Sequence, residues 1–115
     1  MRPDRELLQD ILEAIDEVME NTPATQNAFD ANKFVRSHLL RHIQIIGEAC
    51  WRLSQNLKDK NPQVPWKGIA GMRHILVHDY FEVNWTRVYE TARDHVPALK
   101  PFVENMLASL GPEQP

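Results

Sequence analysis

Apolar residues in the first twenty positions recur at steps of three and four. Leu7, Leu8, Ile11, Leu12, Ile15, Val18 and Met19 fall on one face of a helix with the opposite face polar. Asp4 stands where an N-cap is expected. Asn21-Thr22-Pro23 ends the pattern, and the polar stretch to Asn32 reads as a loop. A second, longer helix is expected from about Lys33 to Leu57. Its core stripe is Leu39, Ile43, Ile46, Cys50, Leu53 and Leu57, widened by Val35, Ile45 and Ala49. That stripe is broader than one neighbouring helix covers, and suits both an internal core and a partner subunit. Asn61-Pro62-Gln63-Val64-Pro65 is a proline-punctuated connection. A third helix starts near Trp66 and turns Ile69, Met72, Ile75 and Leu76 inward. Gly68 and Gly71 within it each cost about 1 kcal/mol of helix stability against alanine, and their size suits either close approach by another helix or ordinary packing. A fourth helix is expected from Val83 or Asn84, with Pro97 restarting it as a fifth segment toward Leu110 and a frayed tail from 111 to 115. No convincing strand is present. The expected fold is all-α, an up-and-down bundle of four to five helices in one domain spanning 1–115.

Composition changes this picture little. The chain has 115 residues, 43% hydrophobic and 25% charged, which suits one soluble globular domain. The single cysteine, Cys50, has no internal disulfide partner and sits on the apolar stripe, so it reads as a small core residue. No signal peptide is legible, and no apolar run nears the roughly eighteen residues that a membrane span needs. The expectation is a cytoplasmic protein with no membrane association.

The distribution of charge says more than the net −3. Met1 to Asp30 carries two basic and eight acidic side chains, Lys33 to Arg73 eight basic and two acidic, and the remainder three and six. A basic middle between acidic ends can attract a polyanion locally. Equally, the acidic first helix can simply neutralise the second. Lys58, Lys60 and Lys67 cluster around the proline connection, where they either guide a nucleic-acid backbone or serve as solubilising charge.

The chemistry concentrates in Arg73-His74-Ile75-Leu76-Val77-His78-Asp79-Tyr80. A guanidinium is a permanent planar cation that forks onto phosphate oxygens. An imidazole exchanges protons near neutral pH. Five helical positions separate Arg73 from His78, about 140° beyond a full turn, so an undistorted helix does not set them side by side. The helix can end near Val77, the arginine can reach around it, or two copies of the motif can face each other across a twofold axis. His38 and His42 are spaced i, i+4 on the second helix, as are His74 and His78. Together the pairs are compatible with a four-histidine metal site, or the first pair lies on a wet cationic face. Glu48 and Arg52 are spaced for an i, i+4 ion pair. Glu48 and Arg41 lie on a polar stripe that either faces the Arg73–His78 cleft or is solvated.

The order of Ile45-Ile46-Gly47-Glu48-Ala49, Pro65-Trp66, Gly71-Met72-Arg73 and His78-Asp79-Tyr80-Phe81 resembles the HepT-like branch of the HEPN superfamily. The similarity runs from about Arg5 to Leu107. It implies a homodimeric, metal-independent ribonuclease whose cleft forms between two protomers, with RNA as substrate and no cofactor. Carried over by position, Arg73 and His78 are catalytic. His74, directly after the arginine, and Asp79, Glu48 and Arg41 support them. The family also implies the toxin role of a toxin–antitoxin pair, partnered by an MntA-type nucleotidyltransferase antitoxin that adds AMP to Tyr80. The rival reading is a non-catalytic helical module that binds a nucleotidyltransferase or nucleotide.

Overall fold

The computed structural model describes residues 2–74 and 83–111, and for His74 the backbone alone. Among the described residues seven α-helices follow one another: α1 Asp4–Asn21, α2 Gln26–Asp30, α3 Lys33–Arg52, α4 Gln55–Lys60, α5 Trp66–His74, α6 Trp85–Glu90 and α7 Val96–Ser109. A π-helical turn, Thr91–His95, joins the last two. No strand occurs among the described residues, and the all-α expectation holds.

The long helices form where the apolar spacing requires them. Leu7, Leu8, Ile11, Ile15 and Val18 of α1 are buried against Leu39, Ile43, Ile46 and Cys50 of α3. Leu12 packs only at the edge of the core, and Met19 remains 44% exposed. α3 is the central element, packing on α1 along one side and on α5 along another. The breadth of its stripe is therefore used within the chain, because α5 covers it as well as α1, with smaller contacts from α2 and α6. Burial pushes the Cys50 thiol up to about 12, far above working pH, so this cysteine is an unreactive core residue.

Local hydrogen bonds decide where the helices break. The expected helix from Lys33 to Leu57 is interrupted at Leu53-Ser54. There the Ser54 hydroxyl accepts from the backbone N–H of Leu57 at 3.2 Å and caps α4. Asp4 is the first residue of α1 and not its cap. Its carboxylate instead accepts from the Ser54 backbone N–H at 2.9 Å and the Ser54 hydroxyl at 2.6 Å. One serine thus ends α3, starts α4 and ties both to the N-terminus of α1. Ser54→Ala is expected to cost roughly 1–2 kcal/mol, read as a lower urea midpoint. An unchanged midpoint removes this tie from the stabilising contacts.

The stretch to Asn32, expected as loop, contains α2. Thr25 caps it by accepting from the Ala28 N–H at 3.1 Å, and its one large apolar residue, Phe29, is fully buried. Phe29 lies 5.1 Å from the Tyr89 ring and 6.3 Å from Trp85, centroid to centroid. The Tyr89 hydroxyl donates to the Pro23 carbonyl at 2.8 Å. Asn32 then caps α3 and Asn84 caps α6. The expected restart at Pro97 is observed: α7 begins at Val96 with the proline in its first turn. The missing proline N–H is tolerated in the first turn of a helix, where the donors have little intrahelical use.

Candidate active site

The site is built where α5 crosses α3. Gly47 makes the crossing possible: a Cβ placed there would lie 2.8 Å from the backbone nitrogen of Arg73 and 3.2 Å from its Cα. Only a residue without a side chain lets the two backbones approach this closely. The glycine of the Ile45–Ala49 segment is thus the seat of Arg73.

From that seat the Arg73 side chain runs along α3. Its Nε–H donates to Glu48 Oε1 at 2.5 Å, a short charge-assisted bond. Its guanidinium carbon stands 4.4 Å from the centroid of the Trp51 ring, within cation–π range. Glu48 and Trp51 are one helical turn apart, so they present a carboxylate and an aromatic face on the same side of α3. Arg73 is held between them yet stays 32% exposed. The bond to Glu48 uses one of the five N–H donors of a guanidinium. A cation fixed in orientation and open to solvent is suited to gripping an anion.

The structure brings two of the expected site residues together, Arg73 and Glu48. The expected Glu48–Arg52 pair does not form, because Arg73 takes the carboxylate. Arg52 instead borders a cleft of about 340 Å³ with Arg2, Leu7 and Trp51. Arg41 is exposed, two turns before Glu48 on the same stripe of α3, and makes no hydrogen bond or ion pair among the described residues. His78, Asp79 and Tyr80 lie outside the described residues, as does the His74 side chain. The basic cluster is divided: Lys58 donates to the Trp51 carbonyl at 3.1 Å, while Lys60 and Lys67 are exposed.

Sequence reasoning did not single out Trp51. Its signal was present, a large aromatic three residues after Glu48 on a polar stripe, and it is 56% exposed. A larger cleft of about 940 Å³ runs beside α5, α6 and α7, bordered by Gly68, Gly71, His95 and Phe102 among others. Its lining contains none of Arg73, Glu48 and Trp51. Gly68 and Gly71 are exposed, and nothing among the described residues lies within 4 Å of a Cβ built at either. They serve no close contact within the described chain.

The family model for "Ribonuclease HepT-like" proteins matches residues 11–106, from Ile11 in α1 almost to the end of α7. The chain belongs to the HepT-like family. Several relatives are similar over most of their length. A protein of Methanocaldococcus jannaschii named a putative RNase is 38% identical over 84% of this chain and 90% of its own. Another of that name, from Caldanaerobacter subterraneus, is 33% identical over 93% of this chain and 96% of its own. A protein of Thermococcus cleftensis named a probable ribonuclease HepT is 32% identical over 91% of this chain and 96% of its own. No solved structure matches the chain. No helix among the described residues is long and apolar enough to cross a membrane.

Proposed function

We propose that this HepT-like chain is a metal-independent endoribonuclease, and that Arg73 and His78 carry the reaction. The observation that supports it most is the setting of Arg73, which is held by Glu48 at 2.5 Å, stacked on Trp51 and still open to solvent. A structural arginine that only bridges helices is under no requirement to remain accessible. One that meets a phosphodiester is.

In the proposed reaction His78 removes the proton of the ribose 2′-hydroxyl. The 2′-oxygen bonds to phosphorus, and the bond from phosphorus to the 5′-oxygen breaks. Products are a 2′,3′-cyclic phosphate and a 5′-hydroxyl, the leaving oxygen being protonated by an imidazolium. Arg73 stabilises the negative charge that builds on the phosphoryl oxygens in the transition state. DNA has no 2′-hydroxyl and is not a substrate. Glu48 and Trp51 orient Arg73, Arg41 extends the cationic surface, and His74 and Asp79 support the histidine.

The family relationship further supports a homodimer with the cleft between protomers, and a toxin role opposed by a nucleotidyltransferase antitoxin that adds AMP to Tyr80. Gly68 and Gly71, exposed and uncrowded, suit the approach of a partner's helix. AMP on Tyr80 would place an anion two residues from His78 and compete for Arg73. The test is incubation of purified protein with total cellular RNA in EDTA, with intact-mass measurement of the same sample. Unmodified protein is expected to produce fragments ending in cyclic phosphate. Intact RNA after treatment with unmodified protein sinks the ribonuclease reading and favours a partner-binding module.

A further inference from the structure

A second cluster of chemistry-bearing side chains lies between α1 and α3. Glu17, His38 and His42 each bring one ligand atom, and these atoms all lie within 4.8 Å of one another. His38 and His42 share a face of α3 one turn apart, with ring centroids 4.2 Å apart, and Glu17 reaches them from α1. We propose that these three side chains bind one divalent transition-metal ion of the zinc class, fastening α1 to α3.

Two observations separate this cluster from an ordinary ion pair. His42 Nδ1 lies 2.8 Å from the backbone carbonyl of His38. A carbonyl only accepts, so Nδ1 carries the hydrogen and Nε2 of the neutral ring keeps its lone pair. Metal-binding histidines are oriented by this kind of bond. Secondly, His38 Nε2 is buried as an atom and has no hydrogen-bond partner, although it lies 3.2 Å from Glu17 Oε1. The two atoms are near but misaligned for a hydrogen bond. Their separation is close to the edge of a zinc tetrahedron, about 3.3–3.4 Å for metal–ligand bonds of about 2.0–2.1 Å. The remaining separations are at most 4.8 Å, and binding requires them to shorten by up to about 1.5 Å.

Two imidazoles and a carboxylate favour zinc, or its analogue cobalt, over magnesium or calcium, which take oxygen ligands. The side chains of His38 and Glu17 are 36% and 43% exposed, so the ion can enter from solvent and a water can complete the coordination. The site uses neither Arg73 nor His78. The ion joins two helices and plays no part in the RNA reaction, and cleavage that resists EDTA is compatible with it.

The experiment is calorimetric titration of metal-free protein with zinc chloride, alongside thermal melting and the visible absorption of the cobalt complex. Wild-type protein is expected to bind one equivalent per chain, melt at a higher temperature with zinc, and give the absorption of four-coordinate cobalt. His42→Ala and Glu17→Gln should each weaken binding at least tenfold, with far-UV circular dichroism confirming the fold. His95→Ala, in the π turn, should leave binding unchanged. Absence of saturable one-equivalent binding overturns the proposal, as does wild-type affinity in either His42→Ala or Glu17→Gln. Each outcome is read without an RNA assay, so it stands apart from the fate of the ribonuclease reading.

Discussion

Arg73→Ala is expected to lower RNA cleavage by roughly a hundred- to a thousandfold, the scale seen when one preorganised donor to a developing anion is removed. His78→Ala is expected to fall at least as far, while both variants keep the wild-type fold. The informative substitution is Arg73→Lys. It preserves the charge, but an ammonium neither stacks as a plane on Trp51 nor presents a fork to phosphate. Arg73→Lys should therefore remain closer to Arg73→Ala than to wild type. Glu48→Gln should cost less, because it loosens the arginine without removing it. Combined with Arg73→Ala, Glu48→Gln should add almost nothing, since Glu48 acts through Arg73. The measurement is kcat/KM on a defined oligoribonucleotide for the four corners of that cycle. Additive losses would show that Glu48 works independently of the arginine, and full activity in Arg73→Lys would reduce Arg73 to a point charge.

Much of this geometry was legible in the sequence, and the parts that were not share a physical cause. The long helices α1 and α3 declare themselves by periodicity, because burying one face of a helix demands regular spacing. Most of their apolar residues from Leu7 to Val18 and Leu39 to Cys50 lie in the core observed. Short helices carry too few turns for a period to register. α2 rests on a Thr25 cap and the burial of Phe29, and α4 on a Ser54 cap. A polar stretch with one buried aromatic looks like a loop until its long-range contacts are known. Asp4 shows the same limit: an aspartate before an apolar run is a good cap candidate, but Ser54, fifty residues away, claims its carboxylate.

At the candidate site, motif resemblance marked Glu48 and Arg73 as members, while spacing alone favoured a local pair with Arg52. The long-range pairing won because Gly47 brings the α5 backbone onto α3. The close approach gives Arg73 a shorter reach to the carboxylate than an exposed i, i+4 partner has, and such local pairs are worth only a few tenths of a kcal/mol. Trp51 escaped notice because its contribution is a ring face offered to a residue on another helix. No spacing rule along one chain segment encodes that.

Gly47→Ala tests this account most directly, and its effect on activity should exceed its effect on stability. The new Cβ would meet Arg73 N at 2.8 Å and Arg73 Cα at 3.2 Å. These are backbone atoms, so no side-chain rotation relieves the clash, and α5 has to move away from α3. Overpacking of this kind costs about 1–3 kcal/mol, and about 1 kcal/mol returns from replacing a helical glycine by alanine. The net loss of stability is therefore modest. The displacement acts directly on the arginine, whose contacts with Glu48 and Trp51 depend on where its backbone sits. A shift near 1 Å at a positioned group can lower rate about a hundredfold. Urea unfolding and kcat/KM measured on the same preparation separate the two effects. A fall in activity far beyond the fall in stability is the expected result. Wild-type cleavage in a stably folded Gly47→Ala protein would show that the reaction tolerates movement of α5, and the seat of Arg73 would lose its proposed significance. The same substitution at Gly68 or Gly71 meets no described atom within 4 Å. A loss of activity there has a source other than the α3–α5 contact, and that contrast sets Gly47 apart from the two exposed glycines of α5.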